Sequence, residues 1–395
     1  MKASVNQPKL YCSPVMLKSF ALEQKTPYLK TEALRIEEVL GGIVHPLEWN
    51  KEKIIEDSFY GGVTDSNFSF IPLSLTKRVS PSQFNWVYED WFFGAKPGLK
   101  ISELPYVDED VVFIGALSNH YGHFILEGLS RLWVYFENGD WSKKAVYISE
   151  SGDCRFNEFF SLFGLRSDQV VCIHESTRFK SVTVPEQSIR LHDFYHEKYK
   201  NIIDKIKASV VPKSSEGIFF SKKSSTSSRA VGENFLEDTL FNNNYLVLQP
   251  ENLGAYETIA WLMGCKELVA SSGTNAHNGV FLPDGARLVC INRSAHFHPI
   301  QTMINEMKDL KVTYIDLFIW SSDANFGDSP CFLFPTEYLF AFLDARQFKY
   351  RRLRLYGYMP IALLKYALVK VRWIFKRKLA IIYEKAVYFF KNKNS

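Results

Sequence analysis

The chain has 395 residues, more than one hydrophobic core usually supports, since single cores stop growing at roughly 250–300 residues. Its 46% hydrophobic and 23% charged residues exclude a disordered, collagen-like or coiled-coil protein. The net charge of +4 is uneven: residues 346–395 contain 14 Lys and Arg and one acidic residue, whereas the remainder contains 33 basic and 42 acidic residues. We therefore predict two α/β domains facing a cleft, followed by a basic tail.

Six cysteines are scattered along the chain without a C-x-x-C pair or a dense spacing, which indicates a reducing compartment. The first thirty residues contain no apolar stretch behind a basic start, so we expect neither a secretory signal nor an N-terminal anchor. Together these features predict a cytoplasmic protein.

The first half of the chain reads as an α/β domain over residues 1–211. Residues 1–110 are rich in aromatic residues, Pro and Gly, and predict short strands and loops. The apolar run 111–117 predicts a strand that is buried on both faces, followed by a turn at 118–122 and a helix at 124–136. The same alternation then predicts strands at 144–149 and 169–174, and helices at 156–163 and 193–211.

A Pro, Ser and Gly stretch at 211–217 is the best linker in the sequence. After it the pattern predicts strands at 217–221, 245–248, 267–270 and 287–291, with helices at 233–241 and 255–263. We predict a C-terminal α/β domain over residues 212–328 and a helical basic tail over residues 329–395.

The first candidate site lies in the predicted helix after the buried strand. On a helix, His123, Glu127 and Arg131 fall at i, i+4 and i+8 and form one charged stripe on an apolar surface. One interpretation is a structural ladder of paired buried charges. The other is catalytic: an imidazole backed by a carboxylate can take the proton of a sugar hydroxyl near neutral pH, and the carboxyl edge of an open α/β sheet is where ligands bind.

The second candidate site is the run Ser272-Gly273-Thr274-Asn275, which follows a strand and precedes a helix. Backbone amides at such a helix start can bind a nucleotide diphosphate. Ser, Gly and Asn are also ordinary helix caps, so a purely structural role stays open.

The third candidate site is Ser221-Lys222-Lys223, with Arg229 shortly afterwards. Basic groups beyond a strand end could neutralise a leaving diphosphate without a metal; a solvated basic loop is the alternative. His192 and His196 share an i, i+4 spacing but lack further ligands, so we predict no metal site. Walker, G-x-G-x-x-G and G-x-S-x-G motifs are absent.

Taken in this order, the three motifs resemble those of glycosyltransferase family 61, over about residues 111–291. The family's Asn-x-x-Gly-His-(Trp/Phe) stretch, with an acid four residues after the His, matches Asn119, Gly122, His123, Phe124 and Glu127. Its later motifs are matched by Ser221, Arg229, Glu233, Asn234, Asn278, Phe281, Pro283 and Gly285. The sequence departs from the family at residues 272–275, where the family has His-Gly-Ala-Gly.

The resemblance implies a GT-B fold of two Rossmann-like domains facing a cleft, with acceptor chemistry in the first and a nucleotide sugar in the second. It implies inversion at the anomeric carbon, with no metal or other cofactor. His123 and Glu127 are then the catalytic pair, and Asn119, His120 and Arg131 lie on the acceptor side. The implied donor-binding residues are Ser221, Lys222, Arg229, Ser272, Gly273, Thr274, Asn275 and Asn278.

We predict an inverting glycosyltransferase that moves a sugar from a nucleotide sugar to a bacterial surface glycan, such as a capsule, lipopolysaccharide or exopolysaccharide. The changed residues 272–275 keep open a catalytically inactive glycan-binding or scaffold protein of the same fold. A eukaryotic lumenal transferase is disfavoured because an N-terminal anchor is not expected.

The basic tail alternates apolar runs with basic residues between residues 356 and 390, and no 18-residue stretch is free of charge. This pattern disfavours a transmembrane helix and favours a helix lying on an anionic membrane surface. Packing on the protein itself or on a partner is the alternative, and nucleic-acid binding is not expected. The glycan acceptor could then be lipid-linked, and we predict a peripheral position at the inner face of the cell membrane.

Overall fold

A computed structural model describes residues 7–23, 27–49, 59–77, 94–149, 152–222, 230–295, 297–318 and 331–392. The helices are α1 (Pro14–Glu23), α2 (Tyr121–His123), α3 (Val134–Asn138), α4 (Asn157–Phe163), α5 (Glu197–Ala208), α6 (Asn234–Phe241), α7 (Ala255–Met263), α8 (Thr274–His277), α9 (Pro299–Met307), α10 (Glu337–Ala345) and α11 (Leu353–Asn392). The strands are β1 (Lys9–Tyr11), β2 (Leu29–Lys30), β3 (Ile36–Leu40), β4 (Ile43–Trp49), β5 (Phe59–Thr64), β6 (Tyr106–Ala116), β7 (Lys144–Ile148), β8 (Val170–Cys172), β9 (Thr177–Pro185), β10 (Ile189–Arg190), β11 (Phe194–His196), β12 (Ile218–Phe220), β13 (Ala230–Val231), β14 (Leu246–Leu248), β15 (Glu267–Ser271), β16 (Arg287–Asn292), β17 (Lys311–Asp316) and β18 (Cys331–Phe332).

The first sheet is mixed and has seven strands in the order β5-β4-β9-β6-β7-β8, with β3 pairing with β9. Strand β6 is parallel to β7 and β9, and β3, β4 and β5 form antiparallel pairs. Residues 111–114 of β6 are fully buried, as expected for the apolar run predicted there. We call this sheet and its helices the first unit.

The second sheet has six strands, all parallel, in the order β1-β17-β16-β15-β12-β14. The strand positions predicted for the second half of the chain are confirmed within one or two residues. Counted from β12, the strand order is 2-1-3-4-5, so the direction of winding reverses between β12 and β15. In sheets of this kind ligands bind outside the carboxyl ends of the strands at that reversal. We call this sheet and its helices the second unit.

Strand β1 shows that the two units are not strictly consecutive in the chain. The sequence predicts a first domain starting at residue 1, but β1 pairs in parallel with β17 of the second sheet. A side chain adds to this pairing, because the carboxylate of Asp316 accepts a hydrogen bond from the backbone N–H of Ser13 at 2.7 Å. A strand of three residues has too little periodicity to reveal its partner from sequence.

The two units pack directly on each other through apolar side chains. The rings of Phe159 in α4 and Phe281 lie 5.9 Å apart, centroid to centroid. Beside them, the carboxylate of Glu158 accepts hydrogen bonds from the backbone N–H groups of Ala255 (2.6 Å) and Tyr256 (3.0 Å) at the start of α7. A side chain of the first unit therefore caps a helix of the second.

Two predicted helices differ from the structure. The helix predicted at 124–136 is a π-helical turn at Phe124–Gly128, then irregular turns and the short α3. The helix predicted at 193–211 starts later, at Glu197, because Phe194–His196 pair with β10 and β2 as strand β11. Nδ1 of His196 accepts the backbone N–H of Lys198 and caps that helix, so His192 and His196 do not share a helical face.

The C-terminal region begins as part of the second unit. Leu339, Phe342 and Leu343 of α10 pack into the core around β15, β16 and β17, whereas the sequence assigns residues 329–395 to a separate tail. The 40-residue helix α11 follows. None of the helices within the described residues combines the length and the apolarity that crossing a membrane requires.

Candidate active site

His123 and Glu127 form a hydrogen-bonded pair at the carboxyl edge of the first sheet. Nδ1 of His123 lies 2.7 Å from Oε2 of Glu127. The Glu127 side chain is 3% exposed, whereas that of His123 is 38% exposed. With the carboxylate ionised, the proton of a neutral imidazole resides on Nδ1, which leaves Nε2 with a free electron pair. The pair thus has the arrangement of a base and the group that orients it.

The π-helical turn holds this pair in place. Residues 124–128 are all buried, and Ser130 Oγ donates to the backbone carbonyl of Glu127 at 2.5 Å. Such turns insert one extra residue into a helix and are frequent at functional sites. The buried turn therefore fixes the backbone of Glu127, and the Glu127 carboxylate in turn orients the ring of His123.

The predicted acceptor-side residues have three different settings. Asn119 joins two loops: its Oδ1 accepts the N–H of Arg155 at 2.9 Å, and its Nδ2 donates to the carbonyl of Asp153 at 3.4 Å. His120 is exposed, and its ring lies 5.0 Å from that of His123. Of these two, His120 has the more accessible side chain.

Arg131 is 1% exposed and points into the first unit. Its guanidinium donates to the backbone carbonyls of Pro185 (2.9 Å), Leu73 (3.0 Å) and Leu75 (2.6 Å). Burial lowers its pKa to about 10, and the nearby carboxylates of Glu127 and Glu186 oppose that shift. Through these bonds Arg131 joins segments of the first unit.

The helix that carries His123 contacts the second unit next to the loop at residues 272–278. The hydroxyl of Tyr121 donates to Oδ1 of Asn278 at 2.8 Å. A Cβ atom at Gly122 would lie 3.0 Å from Oγ1 of Thr274 and 3.4 Å from Nδ1 of His277, so glycine allows this close approach. The first and second predicted sites therefore meet across the two units.

The second predicted site lies at the reversal of the second sheet, after β15, and it is bonded to β12. Nδ2 of Asn275 donates to the carbonyl of Phe220 at 3.3 Å. Asn278 is buried and donates to the carbonyls of Thr274 and Asn275. The N–H of Ser272 already donates to Ile291 at 2.8 Å, and α8 is only four residues long. The N–H of Ser272 is thus engaged within the sheet, and the role predicted for the helix start at residues 273–276 stays a prediction.

In this loop, the backbone conformation of Gly273 brings the chain close to the side chain of Arg293. Gly273 has φ +93° and ψ −145°, a conformation that essentially only glycine adopts. A Cβ atom there would lie 3.4 Å from Nη2 of Arg293, which follows β16 and is partly buried. Nε of Arg293 has no hydrogen-bond partner among the described residues. A guanidinium beside a turn at the sheet reversal can bind an anionic group.

The third predicted site is only partly described. Ser221 is buried at the end of β12, and Lys222 is partly exposed. Oε2 of Glu233 accepts the backbone N–H of Lys222 at 2.8 Å and Oγ–H of Ser221 at 3.4 Å. Burial raises the pKa of the Glu233 carboxyl. Lys223 and Arg229 lie outside the described residues, so their predicted role at the donor stays a prediction.

Two histidines, the buried His277 and the partly buried His298, lie on the second unit's side of the contact. The rings of His277 and His298 lie 4.8 Å apart, and neither ring nitrogen of His277 has a hydrogen-bond partner within the described part of the chain. Burial lowers the pKa of His277 well below its usual value and that of His298 to about 3, aided by the neighbouring histidines. Both rings are therefore neutral at physiological pH.

Among the described residues, one group of potential metal ligands occurs, formed by Asp153, Cys172 and His174. Asp153 and His174 are exposed, with their nearest ligand atoms 3.8 Å apart. Neither His123 nor Glu127 belongs to this group, and exposed groups of this kind are common in the absence of a metal ion.

Sequence reasoning missed Arg293 and His277. Arg293 follows a parallel strand at the same sheet edge as the other donor candidates, and that position is the signal that could have identified it. His277 is one residue before Asn278 in a motif already examined. Its burial against Gly122 depends on packing between the units, which periodicity does not show.

Comparison with known families agrees with this geometry. The family model described as Glycosyltransferase 61 matches residues 121–289, which begin at Tyr121 and end within β16. No curated protein matches the chain. The matched segment contains His123, Glu127 and the loop at residues 272–278, together with the contact between them. Residues 121–289 are thus similar to glycosyltransferase 61, as the sequence motifs predict, and the general activity that this family implies is glycosyl transfer.

Proposed function

We propose that the protein is an inverting, nucleotide-sugar-dependent glycosyltransferase with a GT-B arrangement of its two units. The observation that carries the proposal is the contact between the helix of His123 and the loop at residues 272–278. It sets a base and the anion-binding features of a parallel sheet side by side. Transfer of a sugar needs a base for the acceptor and a site for the diphosphate within one cavity.

In the proposed reaction, the acceptor hydroxyl gives its proton to Nε2 of His123. The acceptor oxygen then attacks the anomeric carbon, and the bond from that carbon to the diphosphate oxygen breaks, with the electron pair leaving on the nucleotide. Glu127 stabilises the imidazolium that forms, because its buried carboxylate already holds Nδ1. Attack from the side opposite to the leaving group inverts the configuration.

The second unit holds the nucleotide sugar in this proposal. Arg293, Lys222 and, as the sequence predicts, Arg229 would bind the diphosphate. Gly273 would let the diphosphate approach the backbone closely. Ser221 and Asn275 lie beneath this surface and shape it through their bonds to Glu233 and Phe220. The cationic side chains supply the charge that a metal would otherwise supply, so the proposed reaction needs no metal or other cofactor.

We propose a bacterial surface glycan as the acceptor, lipid-linked and met at the inner face of the cell membrane. The scattered cysteines and the basic tail support this setting. Asn119 and His120 lie beside His123 and would contact the acceptor, of which His120 offers the more exposed side chain.

The alternative of an inactive glycan-binding protein rests on the loop at residues 272–275, where the sequence departs from the family. The test is a panel of nucleotide sugars, examined first by thermal shift and then by hydrolysis and transfer to glycan acceptors. If the protein is an active transferase, one nucleotide sugar should raise its melting temperature and release a nucleoside diphosphate. Glycan binding with no shift and no release for any donor would favour the inactive alternative.

A further inference from the structure

Helix α11 has two apolar faces, and its inner face packs on the second unit. Tyr366 is 6% exposed, and its ring lies 5.6 Å from that of Phe332 of β18. Met359, Ala362 and Val369 pack into the same cluster, which also includes Val231 of β13. These positions recur at three and four residues, so they form one side of the helix. The inner face fixes α11 to the protein.

The outer face is a continuous apolar stripe that the described residues leave uncovered. Its members are 63–70% exposed and recur at spacings of three and four residues: Ile361, Leu364, Leu368, Val371 and Phe375. That spacing places them on one side of a helix, away from the packed face. Exposed apolar surfaces of this extent mark interaction sites in soluble proteins.

Basic side chains run beside the outer face. Lys365, Arg372 and Lys376 follow the edge of the stripe at intervals of seven and four residues. No Asp or Glu occurs anywhere from residue 353 to residue 383. An apolar stripe bordered only by positive charge is complementary to a surface that is apolar inside and anionic outside.

We propose that the outer face of α11 is a docking surface for an anionic lipid membrane, on which the helix lies parallel to the surface. Ile361, Leu364, Leu368, Val371 and Phe375 would enter the upper acyl-chain region. The long side chains of the basic residues would extend to the lipid phosphates while their methylene groups stay against the apolar region. Because the inner face keeps its contacts, docking would hold the second unit at the membrane. The proposal does not depend on the proposed sugar transfer.

A second copy of the chain is the main competing occupant, since spacings of three and four residues also suit a coiled coil. Charge argues against it. Two copies paired through this stripe would bring Lys365, Arg372 and Lys376 near the same residues of the partner helix. Residues 346–395 contain one acidic residue, Glu384, which cannot offset the 14 basic residues of this segment in each copy. Lipid phosphates provide the negative charge that a second copy lacks.

The test is co-sedimentation of the full-length protein with vesicles of phosphatidylcholine plus phosphatidylglycerol, or of phosphatidylcholine alone. The outer-face variant carries L364S, L368S, V371S and F375S. Its matched control carries L22S, L40S, V211S and F241S, the same residue types at exposed positions elsewhere. A third variant, K365Q/R372Q/K376Q, removes charge alone. Thermal melting checks the folding of all three, and sedimentation velocity without lipid reports the oligomeric state.

We expect the wild type and the control to pellet with anionic vesicles and the outer-face variant to remain in solution. The charge variant should bind roughly a hundredfold more weakly, since each basic residue near such a surface contributes about fivefold. Raising the ionic strength should weaken wild-type binding. Equal pelleting of the outer-face variant and its control would overturn the proposal. A wild-type dimer that only the outer-face variant converts to a monomer would also overturn it, and would assign the stripe to a second copy.

Discussion

The two sides of the candidate site use their polar side chains in opposite ways. On the first unit, a buried carboxylate holds a partly exposed imidazole, so a reactive group points outward. On the second unit, Asn275 and Asn278 turn inward to bond the loop, and the partly exposed side chains are those of Arg293 and Lys222. The comparison indicates that the first side performs proton transfer and the second side binds anionic substrate. Each prediction below changes one side of the site.

The largest effect is expected from Glu127→Gln on the first side. An amide can donate to Nδ1 of His123, which would shift the ring proton to Nε2 and remove the acceptor of the hydroxyl proton. We predict that kcat falls about 10²–10⁴-fold and that the Kd for the nucleoside diphosphate is unchanged. The matched control is Glu137→Gln, in an exposed ion pair with Lys198. A kcat for folded Glu127→Gln equal to that of the control would contradict the role of the carboxylate.

The next effect concerns the buried imidazoles of the second side. Because burial lowers the pKa of His277 and of His298, the unfolded chain binds protons that the folded protein does not. The contribution of these neutral rings to the free energy of unfolding is therefore complete above pH about 6.5. It is lost as the pH falls from there towards the His298 pKa of about 3. At pH 4.5 we expect His298 to account for a loss on the order of 2–3 kcal/mol, and His277 to lower the stability in the same direction.

The variant His298→Phe separates the contribution of His298 from other effects of acid. Because phenylalanine does not titrate, the unfolding free energy measured by urea denaturation should fall less between pH 6.5 and 4.5 than in the wild type. The exposed His174 offers the control His174→Phe. A pH profile for His298→Phe that coincides with those of the wild type and the control would show that His298 does not contribute.

Gly273→Ala should disturb the second side without touching the base. A Cβ atom at this φ and ψ costs about 1–3 kcal/mol and moves the loop relative to Arg293. We predict a lower unfolding midpoint together with weaker binding of the nucleoside diphosphate by calorimetry. Gly139→Ala, at φ +62° in open space, supplies strain alone and should leave binding intact. If Gly273→Ala and Gly139→Ala bind the nucleoside diphosphate with equal affinity, Gly273 has no role in donor binding.

The smallest effect is expected from Arg293→Ala. Loss of one cation from several at the diphosphate should raise the Kd for the nucleoside diphosphate roughly tenfold, since a hydrogen bond to a charged group is worth about 1.5–3 kcal/mol. The KM for a neutral acceptor should not change. Arg166→Ala removes an exposed arginine paired with Asp168 and is the control. An altered acceptor KM with unchanged diphosphate affinity would move Arg293 to the acceptor side.

Local pattern was enough to predict much of the fold. Strands β7, β12, β14, β15 and β16 are short runs between turn residues, and their predicted positions are confirmed within one or two residues. Strand β6 contains the apolar run predicted at 111–117 but begins five residues earlier, at Tyr106. The contact between His123 and Glu127 follows from a spacing of four residues, which neighbours share in any helical turn. These features depend on residues that are close in sequence.

The features that sequence did not predict depend on residues far apart. Strand β1 pairs with β17, which lies about 300 positions later in the chain, and the three residues of β1 do not indicate this pairing. The π-helical turn is a local exception: it replaces the predicted helix where the Ser130 hydroxyl donates to the carbonyl of Glu127. Arg293 and His277 acquire meaning only when β16 and α8 are packed beside the reversal of the sheet. Their roles are set by tertiary structure.

The central claim is that His123 removes the acceptor proton while the second unit alone binds the nucleotide. The most direct measurement compares transfer and donor binding in folded His123→Ala, with His174→Ala as control. We predict that transfer falls about 10²–10⁴-fold, while the Kd for the nucleoside diphosphate stays within about twofold of the wild type. Transfer by His123→Ala at the rate of the control would contradict the account.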